Sequence, residues 1–279
     1  MHSLSHKRAA LLAALARLES CAVAFSGGVD SAVVAKAAAL ALGERAVAIT
    51  GTSASLASGE REQAEELARL IGIRHLVIDT HELDSGDYAR NAPDRCFHCK
   101  TELYSRLAEL LPRLGVQAIV NGANADDLGD YRPGMQAAAN YAIVSPLADC
   151  DLSKADVRAL AADWGLPVWD KPATPCLSSR IAYGEEVTPE RLAMIDQAEQ
   201  YLRRLGLREL RVRYHKGDLA RIEVPLAELP RLIEAQPRQE LAAEFRRLGF
   251  KFVALDLEGF RSGSLNQLVQ IVGLTNAAG

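Results

Sequence analysis

Between residues 21 and 147 short apolar runs alternate with helical stretches, and this alternation restricts the fold more than any other feature of the chain. "CAVAF" (21–25) leads into a helical stretch reaching about Leu42, "AVAIT" (46–50) into "GEREQAEELARLIG", and "HLVID" (75–79) into a loop that carries Cys96 and Cys99 after "NAPD", with a helix following the cysteine pair. "VQAIVNG" (116–122) and "YAIVSPL" (141–147) complete the series. Unbroken apolar runs mark strands covered on both faces, and strands separated by helices pair in parallel. The expected fold class is therefore α/β, a doubly wound parallel sheet with a smaller α+β domain towards the C-terminus. A second domain is expected because 279 residues exceed what one hydrophobic core usually serves. The boundaries fall at 1–172, a proline-rich loop at 173–187, and 188–279.

Local signals fix several ends. Ser153 and Asp156 form a capping box before "KADVRALAADWG", which Gly165 closes. Thr188 and Pro189 start a long helix to about Gly206. "RELRVRYHKGDLARIEVP" alternates like a hairpin turning near Lys216 and Gly217, and "KFVALDL" reads as a last strand before a short tail. The N-terminal "MHSLSHKRAALLAALARLES" reads as an amphipathic helix interrupted by Arg17 and not as a secretion signal, which places the protein in the cytoplasm. With 49% hydrophobic and 24% charged residues and no long apolar run, the chain is a soluble globular protein without a membrane segment. A net charge of −4 and the absence of a basic block argue against a nucleic acid partner.

"FSGGVDS" (25–31) joins the first strand to its helix. Gly27 and Gly28 permit a tight turn, and the N–H groups of a helix N-terminus cradle phosphate. Asp30 would repel that phosphate unless a cation bridged them, which points to Mg²⁺. The loop has neither the lysine of a Walker A motif nor the spacing of G-x-G-x-x-G.

SGGxDS in this position resembles the PP-loop of the ATP pyrophosphatases, which include NAD synthetase, GMP synthetase, argininosuccinate synthetase and the tRNA thiolases. The resemblance implies an adenine nucleotide alpha hydrolase-like fold and cleavage of ATP between its α and β phosphates, with AMP passing to a substrate oxygen. Three more stretches, "NGANADDLGDYRPGMQAA" (121–138), "TPCLSSRIAYGEEVTPERL" (174–192) and "LRVRYHKGDLARIEVP" (210–225), make essentially the whole chain resemble the LarE family of sulfur transferases that mature the nickel-pincer cofactor of lactate racemase. The resemblance implies an ATP-dependent sulfurtransferase. It would adenylate a carboxylate of pyridinium-3,5-biscarboxylic acid mononucleotide, release pyrophosphate and leave a thiocarboxylate.

Carried over by motif, Ser26, Gly27, Gly28, Val29, Asp30 and Ser31 would bind ATP and Asp30 would hold Mg²⁺. Thr50, Gly51, Asn121, Gly122, Asp126 and Asp127, at strand ends, would complete the nucleotide site, with a solvated loop-forming pair as the other reading of Asp126 and Asp127. Cys176 corresponds to the sulfur-bearing cysteine, with Lys171 and Arg180 as cations able to activate a thiol. Arg211 and Arg213 alternate on one strand face and would bind the mononucleotide phosphate with Ser179, Arg180 and Lys100, some from a neighbouring subunit. Glu199 is a candidate magnesium ligand and Glu223 a metal or substrate ligand; salt bridges to the arginines are the alternative. The family also implies a homo-oligomer, a trimer or hexamer, with residues 1–172 as the PP-loop domain and 188–279 serving substrate binding and assembly.

"PDRCFHCK" (93–100) carries Cys96 and Cys99. A structural zinc site wants a second pair, which is absent, and a redox dithiol usually follows the first strand of its fold whereas this pair follows the third; a Cys₃His zinc site and a simple dithiol stay open as the lesser readings. Together with Cys176 the pair gives three thiolates, the set for a 4Fe-4S cluster with one iron left for sulfide from an outside donor. The competing route, known in single-cysteine members, gives up the sulfur of Cys176 and leaves dehydroalanine. Cys21 reads as core packing and Cys150 as passive. Two rival functions are a tRNA thiolase, which would need a basic RNA-binding surface, and a non-catalytic nucleotide-binding or cluster-carrying protein.

Overall fold

A computed structural model of the chain describes residues 3–128, 133–172, 174–261 and 265. The chain divides into two compact units, one of Met1–Ser53, Gly59–Glu82 and Cys96–Thr174, the other of Ala54–Ser58, Leu83–Arg95 and Pro175–Gly279. The short tail expected after the last strand lies largely outside the described residues.

The first unit runs α1 (Leu4–Ala16), β1 (Cys21–Ala24), α2 (Val29–Leu42), β2 (Ala46–Thr52), α3 (Glu60–Ile71) and β3 (Arg74–Asp79). After α4 (Gly86–Ala89), which belongs to the second unit, it resumes with α5 (Arg95–Leu114), β4 (Ala118–Val120), α6 (Pro133–Asn140), α7 (Pro146–Asp149) and α8 (Lys154–Asp163). The strands pair in parallel in the order β3-β2-β1-β4. Because side chains alternate along a strand, Cys21, Val23, Ala46, Ala48 and Val120 bury one face against α1, α2, α3 and α8. Ala22, Val47, Ile49 and Ile119 bury the other against Tyr104 and Leu107 of α5 and Ala137 and Ala138 of α6. This is the doubly wound sheet that the apolar runs predict. Burial of the Cys21 thiol pushes its pKa up to about 12, in keeping with a packing role.

Two elements differ from the sequence reading. "YAIVSPL" contributes only a parallel bridge from Val144 to Val120. Ala142 takes a positive φ of 51° and Pro146 opens α7, so neither side of Val144 stays extended. The helix expected after the cysteine pair begins at Arg95, so Cys96 and Cys99 occupy its first turn. Asp94 stands just before that turn, where a helix N-terminus favours an acid.

The second unit holds α9 (Pro189–Arg204), β5 (Arg211–His215), β6 (Leu219–Glu223), α10 (Leu229–Ile233), α11 (Ala235–Arg247) and β7 (Phe252–Leu255). β5 and β6 form the expected hairpin and β7 adds in parallel to β6. Gly217 (φ 81°) and Asp218 (φ 58°) make the turn, and Asp218 is held there by the Tyr214 hydroxyl at 2.6 Å and the Lys251 ammonium at 2.6 Å. Thr188 caps α9 by accepting the Arg191 N–H at 3.3 Å. No helix among the described residues is long and apolar enough to cross a membrane.

Candidate active site

In the order β3-β2-β1-β4 the chain winds outwards in opposite directions from β1 and β4, which leaves a crevice beyond their C-terminal ends. A cavity of about 250 Å³ fills it. Ala24, Ser26, Asp30 and Ser31 line one side and Asn121, Gly122, Ala123 and Asp127 the other, with Lys100 and Tyr104 of α5 and Gly134 and Met135 of α6 completing the wall.

The phosphate loop is shaped by its glycines. Gly27 has φ 72°, and a side chain there would begin 3.3 Å from the Ala64 Cβ. Gly28 is the N-cap of α2 and supplies no side chain to the first turn, so those N–H groups stay available to an anion. Ser31 Oγ donates to the Gly28 carbonyl at 3.0 Å and accepts the Ser26 N–H at 3.2 Å, so the Ser26 hydroxyl is the donor in the 3.2 Å Ser26–Ser31 contact. The Val29 side chain enters the core, leaving its backbone alone for a ligand. Gly122 passes so close to α2 that an added Cβ would lie 2.8 Å from the Ser31 nitrogen.

Asp30 is gripped from both sides. Asn124 Nδ2 donates to Oδ1 at 3.1 Å, and Lys154 Nζ, from the start of α8, lies 2.5 Å from Oδ2. Asn124 lies within "NGANADDLGDYRPGMQAA" without an assigned role, and no site motif covers Lys154. A signal for Lys154 was present, since a lysine at a first helical position opposes the helix dipole and calls for a partner elsewhere. Asp127 Oδ2 accepts the Asn124 N–H at 3.0 Å and faces the cavity, whereas Asp126 Oδ2 accepts the backbone N–H of Lys154 at 2.8 Å and serves α8. Asn121 Oδ1 is tied to the Ala123 N–H and the Ser145 hydroxyl, both at 3.0 Å. Oxygens of Asp30, Asp127, Ser26 and Ser31 thus line one cavity, a hard donor set of the kind Mg²⁺ takes when phosphate oxygens complete its shell.

Thr50 and Gly51 lie outside the cavity lining. Thr50 is buried and gives its hydroxyl proton to the Phe25 carbonyl at 2.8 Å, so the His75 Nε2 at 2.8 Å must be the donor to it. Burial holds the His75 pKa below the ordinary histidine range. Gly51 is small because Leu103 and Thr80 would each meet an added Cβ at 3.0 Å.

The loop bearing Cys176 belongs to the second unit. Its residues 177–180 form a 3-10 turn, held by the Leu177 N–H on the Ser55 carbonyl at 2.8 Å and the Ser178 hydroxyl against Tyr88 at 2.6 Å. Arg95 Nη1 donates to the Ser178 carbonyl at 2.8 Å, and Asn91 Nδ2 donates to the carbonyls of Ile181, Ala182 and Glu185. These supports come from segments remote in sequence; no motif announced Tyr88 or Asn91, and Arg95, inside "PDRCFHCK", carried no assigned role. Arg180 is fully buried and its Nη1 donates to the carbonyls of Cys176, at 2.9 Å, and Pro175, so it braces the backbone around the cysteine. Lys171 belongs to the first unit and pairs there with Glu60 at 3.1 Å and Gln63 at 2.9 Å.

Ser179, Arg180, Arg211 and Arg213 are brought together within the second unit, and Lys100 lines the first unit's cavity. Arg213 donates to Glu223 at 2.9 Å and to the Ser179 carbonyl at 3.1 Å. Glu199 is shared by Arg180 and Arg203, each at 3.0 Å, and accepts the Val212 N–H at 3.2 Å. Burial would raise its pKa, but the Arg180 and Arg203 guanidiniums hold it below the usual carboxylate range. The alternative reading of Glu199 as a salt-bridge partner describes this geometry. Burial, then the neighbouring Arg180 and Arg213, lowers the pKa of Arg211 to about 10.

Cys96 is exposed and Cys99 partly buried, three residues apart on one face of α5. Among the described residues no cysteine is in a disulfide and no three His, Cys, Asp or Glu side chains form a metal-binding group.

Residues 8–111 match the family model described as asparagine synthase. An uncharacterized protein of Synechocystis sp. is 47% identical over 252 residues, 90% of this chain and 94% of that one. A pyridinium-3,5-bisthiocarboxylic acid mononucleotide synthase of Lactiplantibacillus plantarum is 38% identical over 267 residues, 95% of this chain and 96% of the synthase. The chain belongs to this synthase family. The LarE resemblance drawn from the motifs is thus borne out, and with it membership of an enzyme family built on the PP-loop fold. A tRNA-specific 2-thiouridylase of Xanthobacter autotrophicus is 33% identical over 189 residues, covering only 54% of this synthase family member and 48% of the thiouridylase.

Proposed function

We propose that the protein uses ATP to convert a carboxylate of pyridinium-3,5-biscarboxylic acid mononucleotide into a thiocarboxylate. The observation that carries the reading is the similarity to the Lactiplantibacillus synthase along almost the full length of both chains. The cavity between β1 and β4 supports it, since N–H groups at the start of α2, two serine hydroxyls and Lys100 suit the phosphates of ATP. Asp30 and Asp127 would hold Mg²⁺, which neutralises phosphate charge when bound. In the first step a carboxylate oxygen bonds to the α-phosphorus, the bond to the β-phosphate oxygen breaks, and pyrophosphate leaves. In the second a sulfur nucleophile bonds to the activated carbon and AMP departs with its oxygen.

The guanidiniums of Arg211 and Arg213 would bind the substrate phosphate with Ser179. Arg180 positions the backbone carrying Cys176. Cys96, Cys99 and Cys176 have the number and softness to hold a 4Fe-4S cluster, which when bound would supply exchangeable sulfide. An outside sulfide donor and assembly into trimers or hexamers belong to the same reading, as does a cytoplasmic location.

The test is anaerobic reconstitution with iron and sulfide, followed by intact-mass measurement after one reaction with ATP and substrate. Iron uptake that needs all three cysteines, with thiocarboxylate formed and protein mass unchanged, is expected. Product formed as Cys176 loses the mass of hydrogen sulfide would replace the cluster route with sacrificial transfer. No pyrophosphate release with this substrate would remove the reading altogether.

A further inference from the structure

We infer that Phe260 is a positioning residue for the substrate: its ring fixes the guanidinium of Arg211 in the place where the mononucleotide phosphate is bound. The inference rests on the reading of Arg211 and Arg213 as phosphate ligands given above.

The turn after β7 decides where this ring can go. The Asp256 N–H donates to the Ile222 carbonyl at 2.9 Å, which carries the pairing of β7 with β6 one step past Leu255. The chain then reverses, with the Gly259 N–H on the Asp256 carbonyl at 3.1 Å and the Glu258 N–H on Asp256 Oδ1 at 2.9 Å. Gly259 takes φ 72°, and a Cβ there would lie 2.9 Å from the Val224 carbonyl oxygen, so a side chain would hold the turn open. Phe260 donates its N–H to that same carbonyl at 2.9 Å. Val224 follows Glu223, the residue paired with Arg211 across β5 and β6. The turn is thereby hung on the strand end beside Arg211, and Arg211 Cζ lies 5.1 Å from the centre of the Phe260 ring. Asp256, itself buried, anchors the turn through ion pairs with Arg221 and, at 3.8 Å, Arg261.

The kind of contact matters. Arg213 and Arg180 are held by carboxylates, Glu223 at 2.9 Å and Glu199 at 3.0 Å, which neutralise the guanidiniums they orient. Two neutral groups orient Arg211, the Leu210 carbonyl at 2.7 Å and the Phe260 ring. A ring face attracts a guanidinium through its quadrupole and leaves the positive charge uncancelled. An arginine held in this way has less freedom to lose when phosphate arrives.

Titration calorimetry of the full chain tests this with the pyridinium mononucleotide and with the nucleoside left when its phosphate is removed, on the wild type, Phe260→Leu and Phe260→Tyr. Mononucleotide affinity should fall about fivefold in Phe260→Leu, the order of a lost cation–π contact, and return within about twofold in Phe260→Tyr. The nucleoside should bind all three alike. In an Arg211→Met background the Phe260→Leu change should cost nothing further, because the group it positions is gone. The KM of substrate-dependent pyrophosphate release should follow the affinity while kcat holds. Equal mononucleotide affinity in wild type and Phe260→Leu, or an equal loss for the nucleoside, would overturn the inference while sparing the phosphate reading. A further loss in the Arg211→Met background would overturn the coupling of the two residues. A wild type that binds mononucleotide no better than nucleoside would instead remove the phosphate reading itself. Should Phe260→Leu not fold, judged by its thermal transition, Phe260→Met carries the same comparisons.

Discussion

Gly122 shows how tightly the nucleotide cavity is built at the level of single residues. A Cβ there would meet the Ser31 nitrogen at 2.8 Å and the Asp30 carbonyl carbon at 3.0 Å, both backbone atoms that cannot turn aside. Gly122→Ala should therefore push β4 away from α2, cost about 1–3 kcal/mol of stability and weaken Mg·ATP binding together. Gly86→Ala is the control, because nothing lies within 4 Å of its added carbon. Chemical denaturation and calorimetry on the two variants check this, and a Gly122→Ala protein as stable and as ATP-competent as the control would show that the approach is not tight. Residues of this kind were legible because a turn that needs glycine writes itself into adjacent positions, as in "SGGVDS". The partner of Lys154 was not, since the contact with Asp30 spans 124 positions and a lysine at a helix start signals only that a partner exists.

Elements were legible where their ends carry side-chain chemistry. Ser153 both accepts the Asp156 N–H and has its own N–H bound by the Asp156 carboxylate, as the spacing of the pair predicts. Lys7 extends the cap with an ion pair to Asp156 at 2.8 Å, tying α1 to α8. Ser153→Ala should remove the cap at a cost of about 1 kcal/mol. That corresponds to about 2–4 °C in the thermal midpoint for a unit of this size. A midpoint unchanged within 0.5 °C, on the order of measurement error for a lost cap, would mean that packing of Val157 and Leu160 alone fixes α8. Elements were misread where the deciding term was not local. The apolar run "YAIVSPL" has strand composition, but the positive φ of Ala142 and the start of α7 at Pro146 leave it one bridge. The loop composition of "NAPD" predicts a cysteine pair ahead of its helix, whereas the turn at Arg95 already carries the pair into α5.

At the scale of the whole molecule, the second unit draws in 54–58 and 83–95 from the part of the chain that builds the first sheet. The physical reason is the Cys176 loop, whose buried polar groups are satisfied by Ser55, Tyr88, Asn91 and Arg95. Linear composition cannot display such an exchange, because each partner lies far from the loop in sequence. The division also separates the proposed chemistry: the phosphate cavity with Asp30 belongs to the first unit, and Cys176 with the arginine cluster to the second. Activation and sulfur delivery should then fail independently. Asp30→Ala should abolish pyrophosphate release from ATP with the pyridinium mononucleotide, and with it all thiocarboxylate. Cys176→Ala keeps the cavity intact, so substrate-dependent pyrophosphate release should persist within about threefold, less than the roughly tenfold that a lost charged contact would take from it. Thiocarboxylate should be undetectable by mass spectrometry in that variant, while its bound AMP or acyl adenylate accumulates. If Cys176→Ala stops pyrophosphate release as completely as Asp30→Ala, the cysteine is needed before the carboxylate is activated. The two units then act in one concerted step instead of two successive ones.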